Sequence, residues 1–99
     1  MSRVIRKVTI RGRVQGVGYR AWVAREAVAR DLEGWVRNVG DGSVEAVFAG
    51  PADVVADLIV LCRRGPVSAR VDTVIEVSVN SDALNLRRKG EWFSALWKA

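Results

Sequence analysis

Hydrophobic and polar residues either alternate or recur at helical spacing along most of the chain, and each change of period marks the boundary of a predicted element. In chain order, the pattern predicts a strand at 3–11, a helix at 19–31, strands at 35–39 and 43–49, a helix at 51–64 and a strand at 71–79. In the last strand, side chains point alternately to the two faces of the sheet. We therefore expect one shared face for Val71, Thr73, Ile75, Val77 and Val79.

Glycine and proline separate these elements. Gly40-Asp41-Gly42 predicts a tight turn between two antiparallel strands. Gly50-Pro51 and Gly65-Pro66 bound the second helix. The order β-α-β-β-α-β is a split-βαβ arrangement of the α+β class, with an antiparallel sheet and two helices on one face. Residues 80–91 are polar and basic and predict a loop, and residues 92–97 predict a terminal edge strand.

Length and composition are those of one globular domain. Of the 99 residues, 49% are hydrophobic and 27% are charged, so we expect residues 1–99 to fold around a single core. No apolar run approaches the ~20 residues that a membrane helix needs. The N-terminal segment Met-Ser-Arg-Val-Ile-Arg-Lys has no apolar signal-peptide region. These features predict a cytoplasmic protein that does not bind a membrane.

Charge and residue types restrict the chemistry. The net charge of +5 favours anionic partners, which could be nucleic acids or phosphorylated small molecules. The chain has no histidine, so the commonest metal ligand and the usual general base are both missing. Cys62 is the single cysteine and lies in an apolar stretch, which is typical of a buried side chain rather than a reactive thiol.

A glycine-rich segment lies between the first strand and the first helix. Residues 12–18 contain three glycines, which allow unusual backbone conformations and close approach of a ligand. Successive amide groups before a helix can point into one concavity, where the helix N-terminus adds positive potential. Arg20 follows directly, and arginine pairs well with phosphate oxygens. The segment therefore predicts a phosphate site, although a plain turn would also join the two elements.

Two nucleotide-binding motifs fit this segment poorly. Gly16-Val-Gly-Tyr-Arg-Ala21 matches the dinucleotide pattern G-x-G-x-x-G/A. The next strand, however, enters a hairpin, and 99 residues cannot supply a doubly wound domain. The P-loop pattern fails because no Gly-Lys-Ser/Thr follows the glycines.

Several motifs together resemble the acylphosphatase family, with similarity over about residues 4–79. They are Gly12-Arg-Val-Gln-Gly-Val-Gly-Tyr-Arg20, Gly34-Trp-Val-Arg-Asn38, Asp41-Gly-Ser-Val-Glu45, Gly65-Pro66 and Ala69-Arg-Val-Asp-Thr-Val74. The resemblance implies a ferredoxin-like sandwich and hydrolysis of the carboxyl–phosphate bond of a small acyl phosphate, by a monomer without metal or cofactor.

The resemblance also implies roles for individual residues. The amides of residues 15–20 would bind the phosphate or a similar anion; these residues are Gln15, Gly16, Val17, Gly18, Tyr19 and Arg20. The Arg20 side chain would neutralise the phosphate, and Asn38 would position the attacking water. The chemistry is compatible with a chain that lacks histidine, because a carboxylate with a pKa near ~4 leaves without being protonated.

Two other classes of function stay open at this point. The same sandwich serves in RNA recognition, where aromatic side chains on the central strands stack on bases. A catalytically inactive module of that kind would bind RNA or another anion, but Trp35 and Phe48 are the only aromatics in the predicted strands before the C-terminal segment. The third possibility is an accessory domain, as found in larger proteins that mature hydrogenases.

Overall fold

The computed structural model describes residues 2–97, which form a five-stranded sheet with two helices on one face. The elements are β1 Arg3–Arg13, α1 Tyr19–Ala29, β2 Glu33–Asn38, β3 Val44–Pro51, α2 Ala52–Arg64, β4 Arg70–Ser78, a 3-10 helix Ser81–Leu86 and β5 Phe93–Ala95. The strands lie in the order β4-β1-β3-β2-β5. Strands β1 to β4 pair antiparallel as predicted, whereas β5 runs parallel to β2 and makes the complete sheet mixed. The predicted ferredoxin-like α+β sandwich is confirmed.

The main core lies between the helices and the sheet. The strands contribute side chains at alternate positions, such as Val8 and Ile10 of β1, and these are fully buried. The stripe predicted on α2 is also buried and consists of Val55, Leu58, Ile59 and Cys62. Neither helix of the described chain is long and apolar enough to cross a membrane.

The opposite face of the sheet is covered in part by the 3-10 helix. Leu84 packs there against Trp35, and the Trp35 indole Nε1 donates a hydrogen bond of 2.7 Å to the carbonyl oxygen of Ala83. The Asn80 side chain accepts a bond from the N–H of Asp82 and thereby caps this helix. The segment expected to be a loop at 80–91 thus contains a helix that shields one face of the sheet.

Strand β4 departs from the simple alternation that its sequence predicts. A register shift opposite Arg11 and Gly12 changes which side chains face the helices. Val71 and Val74 both pack against the main core, although the alternation places them on opposite faces. Ile75 and Val77 point away and are 56% and 49% exposed. The prediction that Val71 shares a face with Thr73, Ile75, Val77 and Val79 was therefore wrong, because a bulge reverses the phase of the strand.

The C-terminal strand β5 is held by arginines of the preceding basic segment. Arg87 pairs with Glu33 at 2.9 Å and donates to the carbonyl oxygen of Trp92 at 3.1 Å. Arg88 donates to the carbonyl oxygen of Ala95 at 2.8 Å. These contacts attach β5 to the edge of the sheet beside β2.

The backbone at Gly34 of β2 lies too close to β3 to leave room for a side chain, and a substitution there is expected to destabilise the fold. Its φ is +145°, and a Cβ atom would overlap the carbonyl oxygen of Val47 and lie 2.8 Å from the carbonyl carbon. Phe48 and Phe93, its partners on the two flanking strands, stack with ring centroids 6.2 Å apart. We expect Gly34→Ala to lower the free energy of unfolding by roughly 3 kcal/mol, as measured by urea denaturation.

Gly40→Ala is the matched control for this prediction. Gly40 lies in the β2–β3 turn, its φ is not in the left-handed region, and a Cβ atom at this position would have no heavy atom within 4 Å. Its substitution should change stability by no more than about 1 kcal/mol. Equal unfolding midpoints for the two variants would contradict the proposed close approach at Gly34.

Candidate active site

The glycine-rich segment, the first turn of α1 and the end of β2 enclose a cavity of about 250 Å³. It is lined by Val14, Gly16, Gly18, Tyr19, Arg20, Ala21 and Asn38. None of these seven residues carries a carboxylate or a thiol. The cavity therefore offers hydrogen-bond donors and positive charge, and suits an anion.

Backbone conformation in the loop prepares the amide groups for such a ligand. Gly16 and Gly18 have φ values of +73° and +82°, which glycine adopts without strain. Helix α1 begins at Tyr19, and the first intrahelical bond runs from the N–H of Trp22 to the carbonyl oxygen of Gly18 at 3.0 Å. The N–H groups of the first helical residues have no acceptor within the helix. Together with the helix dipole, these N–H groups give this end of the helix a positive potential, which is the property that favours anions at helix N-termini.

Arg20 is the one cationic side chain among the residues that line the cavity. It is partly buried, and its Nη1 donates a hydrogen bond of 2.8 Å to the carbonyl oxygen of Leu96. The Trp97 ring lies over the guanidinium group, with 5.3 Å between Cζ and the ring centroid. The C-terminal segment thus fixes Arg20 from outside the cavity and leaves its other N–H groups available to a ligand.

Asn38 is the last residue of β2 and lines the cavity. Its Oδ1 atom is buried and accepts no hydrogen bond from any residue between 2 and 97. A buried acceptor without a donor costs about 1–3 kcal/mol, so the position favours a molecule that donates a hydrogen bond, such as water. The sequence also allows Asn38 to be an exposed residue near a hairpin with no role in a site. The burial of its Oδ1 atom argues against this interpretation.

Gln15 connects the loop to the hairpin that follows Asn38. Its Nε2 donates to the carbonyl oxygens of Val39 and Ser43 at 2.7 and 2.8 Å. The side chain therefore does not line the cavity, and only the backbone of Gln15 remains a candidate for ligand binding. These two bonds join the β1–α1 loop to the residues beside Asn38 and thereby fix how far apart the loop and Asn38 lie.

The hairpin is also stabilised within itself. The Ser43 hydroxyl and N–H both donate to Asp41, at 2.6 and 3.0 Å. These bonds, with a smaller contribution from Arg11, lower the pKa of Asp41 to about 2. Since the folded-state pKa lies below the unfolded value, this stabilisation is present above about pH 4 and is lost as the pH falls through 2. The Asp41 carboxylate is therefore ionised at neutral pH, where its bonds with Ser43 stabilise the hairpin.

Val17 and Tyr19 attach the β1–α1 loop to the core of the protein. The Val17 side chain packs on the main core, and its carbonyl oxygen accepts a 2.8 Å bond from the Ser68 hydroxyl. Tyr19 is 1% exposed and donates its hydroxyl to the carbonyl oxygen of Cys62 at 2.8 Å. Burial raises the pKa of Tyr19 well above the ordinary value for tyrosine, and it raises the pKa of Cys62 to about 12. Both groups therefore stay protonated at neutral pH.

Several features of the cavity are not predicted by the sequence. Val14 and Ala21 line it, although neither is among the site residues that the sequence predicts. The contacts of Leu96 and Trp97 with Arg20 join residues 76 and 77 positions apart, and no local pattern reports them. For Trp97, the only sequence signal is an aromatic residue in the predicted terminal strand.

Comparison with known proteins identifies the family. The acylphosphatase family model matches residues 6–87. The acylphosphatase of Bradyrhizobium diazoefficiens is 64% identical over 96 residues, which are 97% of each chain. The solved acylphosphatase of Coxiella burnetii has a TM-score of 0.82 at 30% identity and covers 95% of this chain and 93% of its own. The Bacillus subtilis acylphosphatase has a TM-score of 0.80 at 31% identity, with 94% and 98% covered. The chain belongs to the acylphosphatase family, whose members are enzymes that hydrolyse acyl phosphates.

Proposed function

We propose that hydrolysis of acyl phosphates takes place in the cavity between the β1–α1 loop and Asn38. The amides of residues 15–20 and the Arg20 guanidinium would bind the phosphoryl group, and Asn38 would orient the attacking water. The observation that supports this assignment most directly is the meeting of Arg20, the loop glycines and the unpaired Asn38 Oδ1 in one cavity.

The Asn38 oxygen is suited to hold the water in a productive orientation. When water donates a hydrogen bond to Oδ1, a lone pair on the water oxygen remains free to attack phosphorus. The new bond joins the water oxygen to phosphorus, and the bond between phosphorus and the bridging oxygen breaks. The carboxylate departs with that electron pair, and the proton lost by water passes to phosphate or solvent.

The remaining requirement is stabilisation of charge. Phosphoryl transfer depends mainly on positioning and on groups that bind the phosphoryl oxygens. Arg20 and the helix N-terminus supply these donors in fixed positions, so little reorganisation accompanies the reaction. Because a carboxylate is a stable leaving group, the lack of a proton donor among the cavity residues does not impede the step.

The RNA-binding alternative receives little support from the sheet. Trp35 is covered by the 3-10 helix, and Phe48 lies in the main core, so both are almost completely buried. Neither ring is available to stack on a base. We retain a monomeric, cytoplasmic enzyme as the prediction.

The proposal is tested by the hydrolysis of benzoyl phosphate at neutral pH, with and without EDTA. We expect turnover that is unchanged by the chelator, because the proposed chemistry uses only protein donors. An alkyl phosphate monoester is the comparison substrate and should react far more slowly, since its alkoxide leaving group needs a proton. Absence of benzoyl phosphate turnover would refute the activity, and loss of turnover in EDTA would refute the mechanism.

A further inference from the structure

Trp97 is an exposed aromatic residue placed beside the cavity by specific contacts. Its side chain is 79% exposed, although Trp35 of the same chain is 2% exposed. The Leu96 N–H donates to the carbonyl oxygen of Val36 at 2.8 Å, and the Leu96 carbonyl oxygen accepts the Arg20 bond of the same length. The backbone next to Trp97 is thus attached both to β2 and to the cavity arginine.

The cavity itself offers no exposed apolar ring to a substrate. Among its lining residues, Tyr19 is the aromatic one, and this ring is 1% exposed with its hydroxyl already bonded. The loop amides and Arg20 surround the position proposed for the phosphoryl group. The acyl substituent must then extend away from these donors and out of the cavity. The exposed Trp97 ring does not line the cavity, but it lies 5.3 Å from the guanidinium carbon of Arg20, which does.

We infer that Trp97 is a specificity-determining residue that packs against the acyl group and favours aromatic or large apolar acyl phosphates over acetyl phosphate. The inference rests on the proposed function of the cavity. A flat indole with an open face can stack on a benzoyl ring, whereas an acetyl group buries little surface against it. Contacts between aromatic rings of this kind correspond to about a fivefold preference.

A second role for Trp97 would give a different result. If the ring acted only by holding the Arg20 guanidinium through their cation–π contact, its removal would weaken every phosphate ligand alike. Inhibition by inorganic phosphate reports on Arg20 without an acyl group. It therefore separates recognition of the acyl group from positioning of the arginine.

The experiment compares kcat/KM for benzoyl phosphate and acetyl phosphate in the wild type, Trp97→Ala and Trp97→Phe. We expect Trp97→Ala to reduce the benzoyl-to-acetyl ratio about fivefold, with phosphate inhibition changed less than about twofold. Trp97→Phe should retain most of the ratio. Trp92→Ala is the matched control, because Trp92 is also exposed but donates to the carbonyl oxygen of Asp31, away from the cavity.

The outcomes separate this inference from the proposed function. Turnover of both substrates by the wild type supports the activity whatever Trp97 does. An unchanged ratio in Trp97→Ala, or an equal loss for both substrates together with weaker phosphate inhibition, would overturn the assignment. A ratio that falls equally in Trp92→Ala would also overturn it.

Discussion

Replacement of Arg20 by methionine is expected to lower kcat/KM for benzoyl phosphate by about a thousandfold, the magnitude typical of an arginine that stabilises phosphoryl transfer. Methionine keeps much of the side-chain length but removes the charge and all five N–H donors. Inhibition by inorganic phosphate should weaken in parallel, because Arg20 is proposed to bind the phosphoryl group before the reaction as well as during it. Steady-state kinetics with competing phosphate measure both effects.

Two further variants define the role of Arg20. Arg20→Lys keeps a positive charge but loses the planar pair of donors, so its activity should fall between those of the wild type and Arg20→Met. Arg25→Met is the control: Arg25 is exposed on the same helix and does not line the cavity. It should remain within about twofold of the wild type, as is usual for surface substitutions. Activity of Arg20→Met close to that of Arg25→Met would exclude Arg20 from the chemistry.

Replacement of Asn38 by alanine is expected to reduce kcat about a hundredfold, comparable to the loss of one positioned hydrogen-bonding group in other active sites. The water would lose the acceptor that orients it, while the phosphate-binding donors remain. Phosphate inhibition should therefore change little, which distinguishes this variant from Arg20→Met. Single-turnover kinetics and phosphate inhibition together measure the difference.

Asn38→Asp and Asn85→Ala complete this test. The aspartate keeps an acceptor of the same shape but adds negative charge near the phosphate, so phosphate inhibition should weaken. Asn85 is an exposed residue of the 3-10 helix, and its substitution should leave kcat unchanged. If Asn38→Ala lowered phosphate affinity and kcat by the same factor, Asn38 would be a phosphate ligand and would not be assigned to the water.

The elements of the fold were predictable because each carries a local signal. Gly40-Asp41-Gly42 indicates the position of the hairpin, and the apolar spacing of α2 indicates its buried stripe. Boundaries differ by a few residues, as for α1, which ends at Ala29 instead of Asp31. The bulge in β4 was not predictable, because it depends on how Gly12 packs against the backbone of the neighbouring strand.

The cavity was predictable only in part. The loop glycines, Arg20 and Asn38 belong to motifs that identify the family, and they meet in one cavity. The resemblance assigns the backbone amide of Gln15 to the phosphate site and says nothing of its side chain. The structure shows that the side-chain Nε2 donates to two carbonyl oxygens of the hairpin. The side-chain direction of Gln15 follows from the approach of two separate segments, which a linear pattern does not record.

The bond between Arg20 and Leu96 makes the cavity arginine dependent on the C-terminal strand. It closes a loop across 76 positions, so its entropic cost must be met by contacts that already bring the two segments together. Those contacts are the pairing of β5 with β2 and the arginine bonds that hold β5 at the sheet edge. The position of the Arg20 side chain therefore depends on β5 remaining paired with β2, although the two segments are far apart in the sequence.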